Sequence, residues 1–411
     1  MASAHAMAAR PAADPLAEEA LEQSFRAIRE GRDPAPFYHA LRERSRVYFS
    51  RRRGMWVLTG LAEVEQVLRS PVALLQYPKR MDKIRADWRE HPASANLIDV
   101  IAFADGPPHQ KVRKALQPTW TKPEMEKLRP HLRQRVEELV EAFVSAGGGN
   151  VYTELALPMA EETVFRMFGI DEEGARHLRH LVDAFLCVHD YDATPEQLSR
   201  ADMASQEMRE FWTRAYHEKA RNPGGDMLSD LVRNPGLTEA EGIHIAESVY
   251  VGGFDSTALT ATTGLWIMLN HREEMERARR DDSLLEKAPE EVLRMAGAVP
   301  MTLRVAAEPI HLGDHVIEAD ELIGVGLLAA NRDPAVFPDP DRFDLSRPRS
   351  RMVSFSSGVH TCLGHFLARM ELFELYKALL ERTTRIDVAD ARFRKDRQAA
   401  FGMDTLNLTV T

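Results

Sequence analysis

One cysteine stands in a setting that suits a reactive sulfur. Cys362 follows Phe355, Gly358 and His360 and directly precedes Leu363 and Gly364, after which Phe366, Leu367, Met370 and Phe373 continue an apolar stripe at three- and four-residue steps. The stripe predicts an amphipathic helix that begins just after the cysteine. A helix N-terminus supplies unpaired backbone N–H groups and a favourable dipole, the conditions that keep a partly buried thiol deprotonated and able to bind a metal. The other cysteine, Cys187, reads as an inert buried thiol. A second group lies upstream, where Val251-Gly252-Gly253-Phe254-Asp255-Ser256-Thr257 sets two poor helix formers, an acid and two hydroxyls inside an apolar helical run. Either another helix crosses at the glycines, with the hydroxyls bonded back to the preceding turn, or the helix is broken there for a functional reason. A third pair, Glu291 and Arg294, lies three apart on a helix opened by Pro289, so both side chains face one side.

The elements that must position these residues are mainly helical. Apolar residues recur at helical spacing over residues 17–29, 61–69, 123–145, 154–168, 173–187, 195–220 and 227–233. The longest helix opens at the Thr238/Glu241 capping box and runs to about Asn270, roughly 45 Å at 1.5 Å per residue. Strand signals occupy residues 46–58 and 303–325, and the glycine run 147–149 reads as a helix-ending loop. Hydrophobic residues are 44% and charged residues 28% of the chain, the proportions of a folded protein. A net charge of -10 without a basic stripe argues against a nucleic-acid surface. Two distant cysteines with no CxxC spacing suggest neither a disulfide framework nor structural zinc, and a reducing cytoplasm fits them. The N-terminus has no basic flank leading into an apolar run, so neither a signal peptide nor a membrane anchor is expected. Residues 1–14 read as a flexible tail and 15–411 as one domain.

Taken together, Phe355-Ser-Ser-Gly358-Val-His360-Thr-Cys362-Leu-Gly364 resembles the haem-binding loop of cytochromes P450, with Ser356 where a glycine is usual. The resemblance extends from about residue 33 to the C-terminus. It implies a mainly α, triangular single domain with small β-sheets, and heme b (iron protoporphyrin IX) ligated axially by the Cys362 thiolate. Gly358 and Gly364 would let the backbone pass close to the macrocycle, and Phe355 would shield the sulfur. Glu291 and Arg294 match the family's Glu-x-x-Arg. Arg342, in Pro340-Asp341-Arg342-Phe343, would join that pair in a buried network, with Asp341 in place of the usual glutamate. His109, Arg113, Arg304 and His360 match contacts to the two haem propionates. The segment 252–256 becomes the oxygen-binding kink: Asp255 would relay protons from solvent, and the hydroxyl of Ser256, where most members have threonine, would hold the oxygen species, with Thr257 beside it. Relatives that use peroxide tend to lose the acid and the hydroxyl.

By family position, the substrate pocket would be lined by residues 74–98 from Leu74 onward, by the stretch near Phe185, by Val251 and Phe254, by Met301 and Thr302, and by Phe401 and Met403. The resemblance implies a monooxygenase that inserts one atom of dioxygen into a small organic substrate, by hydroxylation or epoxidation, in secondary metabolism or catabolism. Desaturation, ring coupling or dealkylation would use the same haem-thiolate chemistry, and haem binding without turnover is the alternative from another class. Electrons would come from a separate ferredoxin and ferredoxin reductase. Lys111, Arg113, Lys114, Arg349 and Arg351 form either a basic dock for such an acidic partner or a solvated surface.

Overall fold

The computed structural model describes residues 11–411 except 100, 102, 191–192, 349–350 and 396–399; the side chains of 98, 99 and 189 are also outside the description. Helices α1 (Pro15–Glu30), α2 (Ala35–Arg44), α3 (Leu61–Arg69), α4 (Tyr77–Ile84), α5 (Gly106–Leu116) and α6 (Arg129–Ser145) occupy the N-terminal third. They are followed by α7 (Leu157–Phe168), α8 (Glu172–Phe185), α9 (Pro195–Arg221), α10 (Met227–Arg233), α11 (Glu239–Gly253), α12 (Asp255–Asn270), α13 (Arg272–Arg280), α14 (Ala288–Ala296) and α15 (His365–Arg382), joined by turns and shorter helical segments. Side chains set the boundaries: Thr194 with Gln197 and Thr238 with Glu241 close reciprocal capping boxes on α9 and α11. Asp14 belongs to the fold rather than to the expected tail, because its carboxylate accepts from the Leu16 and Ala17 amides and from Arg44 Nε at 2.8 Å. Residues 1–10 of that tail lie outside the description.

The expected strand regions supply β1 (Val47–Ser50), β2 (Met55–Leu58), β5 (Thr302–Ala306) and β8 (Leu322–Val325), and the short β3 (Ala73–Leu74), which was not expected, completes a five-stranded sheet in the order β1-β2-β8-β5-β3, with β2 and β8 parallel and the other pairs antiparallel. Strands β6 (Ile310–Leu312) and β7 (His315–Ile317) form a small hairpin. A third sheet was not expected. It joins β4 (Gly148–Asn150), β10 (Met403–Val410) and β9 (Ile386–Phe393), so the glycine run is an edge strand and not only a helix-ending loop. Gly148 takes φ +116°, and a Cβ there would fall 2.0 Å from Leu408 O. A side chain is therefore excluded at that position.

The long central helix is two helices. α11 stops at Gly253, Phe254 takes φ −124°, ψ −46°, and α12 resumes at Asp255. α12 then runs through the interior with almost every residue buried, and the hydroxyls of Thr260 and Thr262 bond back to Ser256 O and Ala258 O. α15 packs nearby, with Tyr376 Oη donating to Ala261 O at 3.0 Å. Between α12 and the loop that leads into α15 lies the site.

Candidate functional site

The cysteine loop is fixed by short bonds. The Cys362 amide donates to Phe355 O at 2.9 Å, and the Asn331 side chain accepts from the Val353 amide at 2.8 Å while its Nδ2 donates to Ser354 Oγ at 2.6 Å. Gly358 has φ +73°, and a Cβ there would meet Leu68 O at 2.8 Å, so contact with the end of α3, rather than approach to a flat ligand, demands glycine. Gly364 lies beside the sulfur, where a Cβ would sit 3.9 Å from Cys362 Sγ. Ser356 takes φ +61°, the left-handed region that the usual glycine enters freely, and its hydroxyl is buried without a partner. Cys362 is exposed to the cavity that it lines, while protein atoms crowd round its sulfur. That crowding pushes its thiol pKa up, against the Gly364 amide and the Arg113 and Arg369 guanidiniums, which pull it down.

That cavity, about 360 Å³, brings together most of the residues singled out by type or by the family resemblance: Cys362, Phe355, His109, Arg113, Arg304, His360, Ser256 and Thr257 all line it. His109 and His360 meet as tilted rings, with centroids 4.2 Å apart and planes at 44°, and His360 Nε2 lies 3.4 Å from Asp105 Oδ1. Burial, with help from His360 and Arg113, lowers the His109 pKa to about 4. Arg304 is 2% exposed, and burial lowers its pKa to about 10. It donates only to Thr302 Oγ1 at 3.1 Å and to Leu303 O at 2.8 Å, while Arg113 donates to Thr361 O. Among the described residues no carboxylate pairs with either guanidinium. Two desolvated cations facing one cavity call for anions. Two propionates at the rim of a haem meet that requirement, so the residues present fit this cofactor.

The break in the central helix serves both readings of its glycines. A Cβ on Gly253 would lie 2.9 Å from Val164 Cγ2, so this glycine is the helix-crossing contact, whereas a Cβ on Gly252 would meet nothing within 4 Å. Gly252 instead lines the haem-side cavity and a second one of about 370 Å³, and Ser256 and Thr302 also line both. Asp255 is not open to solvent. Tyr152 Oη donates to its Oδ1 at 2.6 Å, and Arg394 grips both oxygens, from Nη1 at 2.8 Å and Nη2 at 3.0 Å. Arg394 Nη2 also donates to Tyr152 Oη at 2.6 Å. Sequence reasoning missed both partners because they stand 103 and 139 residues away from Asp255. Tyr152 opens a π-helical turn, Tyr152–Ala156, a distortion frequent at functional sites that the structure reveals and no sequence pattern marks.

Glu291 and Arg294 pair as expected, at 2.7 and 2.8 Å and fully inside the protein. Arg342 departs from expectation: its side chain is exposed, and only its carbonyl enters the network, accepting from Arg294 Nη2 at 3.2 Å. The turn closed by Arg342 N–H onto Asp339 O directs the side chain outward. Arg347, five residues later, supplies the third charge with Nε 3.2 Å from Glu291 Oε1.

The substrate lining also needs correction. Val251, Met301 and Thr302 line the second cavity, but Leu74, Phe185, Phe254, Phe401 and Met403 line neither. Leu74 is paired in β3 and Leu75 faces the haem-side cavity instead; Phe185 is core, with Leu186 and Val188 at the wall. Phe254 packs on Tyr250, Phe401 stacks on Phe393, and the buried Met403 gives its amide to Thr263 Oγ1, leaving Ala400 at the wall. The errors are offsets of one to three residues, which exchange a wall position for a core position. Within the expected stretch 74–98, Tyr77, Arg80 and Met81 of α4 and Arg85 just after it line the second cavity. The expected basic patch is dispersed: Lys111 pairs with Glu241 at 2.5 Å, Arg351 lies 3.7 Å from Glu65, Arg113 turns into the cavity, and Arg349 is outside the described residues. Lys114 remains exposed.

Comparison with known proteins agrees with this geometry. Residues 47–390 match the family described as Cytochrome P450. The chain is 31% identical to cytochrome P450 monooxygenase PikC of Streptomyces venezuelae, over 88% of this chain and 86% of that one, and 29% identical to 6-deoxyerythronolide B hydroxylase of Saccharopolyspora erythraea, over 83% and 86%. Among solved structures, P450BioI in complex with an acyl carrier protein carrying hexadec-9Z-enoic acid superposes with a TM-score of 0.86 at 25% identity, covering 92% of this chain and 98% of that one. Among the described residues no helix is long and apolar enough to cross a membrane.

Proposed function

Because the chain belongs to the cytochrome P450 family and is an oxidoreductase of the monooxygenase type, we propose that Cys362 is the axial thiolate of its haem and that the enzyme hydroxylates or epoxidises a small, largely apolar organic molecule. The observation that carries this reading is the convergence of Cys362, the unpaired Arg113 and Arg304, and the helix break at Ser256 on one cavity. Haem, when bound, supplies dioxygen activation, which the electron-rich thiolate favours. The protein's own residues do the rest. Arg113, Arg304, His109 and His360 neutralise and orient the propionates, and the Gly364 amide holds negative charge on the sulfur. Asp255 and Ser256 move protons inward, with Thr257 beside them on the cavity wall. Met81, Ile84, Val251, Val299, Met301 and Leu303 exclude water around the substrate. The relatives' names, one a monooxygenase and one a hydroxylase of 6-deoxyerythronolide B, support a role in secondary metabolism. A separate ferredoxin with its reductase is the electron source in this reading. The test is the spectrum of the reduced, carbon-monoxide-bound protein: wild type should give the red-shifted thiolate Soret band and Cys362→Ala should not. A wild-type spectrum lacking that band sinks the assignment.

A further inference from the structure

We propose that Arg394 is a latch on the proton relay, exchanging Asp255 in the interior for Asp404 at the surface, and that protons enter from the cleft lined by Tyr152, Asp183, Arg394, Lys395 and Asp404. The inference rests on the reading of Asp255 as the relay acid. Three observations carry it. First, Arg394 lines both this cleft, about 390 Å³ and open to solvent, and the substrate-side cavity, where Asp255 and Ser256 also stand; among the described residues it is the one common to the two linings. Second, both Asp255 oxygens are already held, by Arg394 and by Tyr152 Oη. A carboxylate gripped by a guanidinium is a poor proton acceptor, so the relay cannot run in this arrangement. Third, a second seat is within reach: Arg394 Nε lies 3.5 Å from Asp404 Oδ2, and Asp404 is 35% exposed against 10% for Asp255.

Moving a buried guanidinium away from its only anion is costly, but moving it between two anions exchanges one pair for another. With Arg394 seated on Asp404, a water in the cleft gives a proton to an Asp255 oxygen and is reprotonated from bulk solvent, and Asp255 passes a proton to the Ser256 hydroxyl as that hydroxyl releases its own proton into the haem-side cavity. Arg394 stays charged throughout, since guanidinium does not give up its proton. Tyr152 also keeps its proton, because burial, reinforced by Asp255, pushes its pKa well up. It therefore acts as a fixed donor that returns Asp255 to place. Arg394 touches neither substrate nor cofactor in this scheme and is a positioning residue.

The test uses haem-loaded enzyme, a surrogate ferredoxin and reductase, and any ligand that shifts the haem spin state and is turned over. The readouts are the solvent isotope effect on kcat and the peroxide released per NADH. D404N should lower kcat roughly three- to tenfold, against roughly a hundredfold for D255N, and should enlarge both readouts while the reduced carbon-monoxide spectrum stays that of wild type. Adding D404N to R394Q should change nothing further, because Asp404 acts only through Arg394. If R394Q fails to retain haem, R394K serves in the same cycle, its single ammonium being unable to grip both oxygens. A wild-type isotope effect in D404N, or equal D404N effects with and without Arg394, overturns the latch. If D255N itself leaves isotope effect and peroxide yield unchanged, the relay reading fails; if D255N alters them but the cycle shows no coupling, only the latch fails.

Discussion

Arg304 offers a perturbation whose effects should have opposite signs in the empty and cofactor-loaded protein. Its guanidinium is buried at 2% exposure and donates to a hydroxyl and a carbonyl of its own strand, with no carboxylate partner. Lowering its pKa from the ordinary guanidinium value to about 10 corresponds to roughly 3 kcal/mol held against the charged form. Arg304→Gln removes that cost and keeps a polar group of similar reach. The apoprotein should therefore gain stability, by up to about 3 kcal/mol less the lost stem packing. The loaded protein should lose a charge-assisted bond to a propionate. Haem affinity should accordingly fall by about a hundredfold, at about 1.4 kcal/mol per factor of ten. Urea unfolding of the apoprotein and haem transfer to an acceptor globin read the two quantities separately. An apoprotein made less stable by the change, or unaltered haem retention, would show that Arg304 is a structural strand residue with no part in holding the cofactor.

The two glycines of the helix break should respond differently to the same change. Gly253→Ala sets a methyl 2.9 Å from Val164 and should cost about 1–3 kcal/mol in thermal or urea unfolding, while Gly252→Ala, with nothing within 4 Å, should be neutral or stabilising by up to about 1 kcal/mol and should instead alter ligand-induced spin shifts. Ser356→Gly should stabilise the protein by about 1 kcal/mol, since it relieves a left-handed backbone and removes an unpartnered hydroxyl; a melting temperature that falls would overturn the strain argument. For His109, with its pKa depressed to about 4, the unfolded chain takes up the proton first as pH falls. Its contribution to apoprotein stability is thus fully present above about pH 6.5 and is lost between about 6.5 and 4. The stability difference between wild type and His109→Gln should shrink or reverse across that window and stay flat above it.

The distribution of what was legible follows from the range of the interactions. Helix positions came from local periodicity, and Thr238 and Glu241 make the capping bonds that their spacing implies. The cavity residues were legible through the family resemblance and not through type alone: Cys362, His109, Arg113, Arg304 and His360 stand at motif positions and converge on one space. The third sheet left only the alternation of Leu406, Leu408 and Val410 on a short C-terminal segment, with its partner strands far away in sequence. The stretches that form the wall were legible, but single residues within them were not, because wall and core positions are equally apolar and only packing separates Leu74 from Leu75 or Phe185 from Leu186. Arg342 illustrates the same limit with charge: the motif placed an arginine near Glu291, but the turn at Asp339 gave the network its carbonyl and left the side chain to Arg347. Asp255 shows why this matters for mechanism. An acid and a hydroxyl adjacent in sequence suggest a proton path, yet whether that path is open depends on Tyr152 and Arg394, supplied by a distorted turn and a C-terminal hairpin that no local pattern connects to the central helix. The resemblance marks Asp255 and Ser256 as the candidate path, while the side chains that hold Asp255 follow from the fold that brings them there.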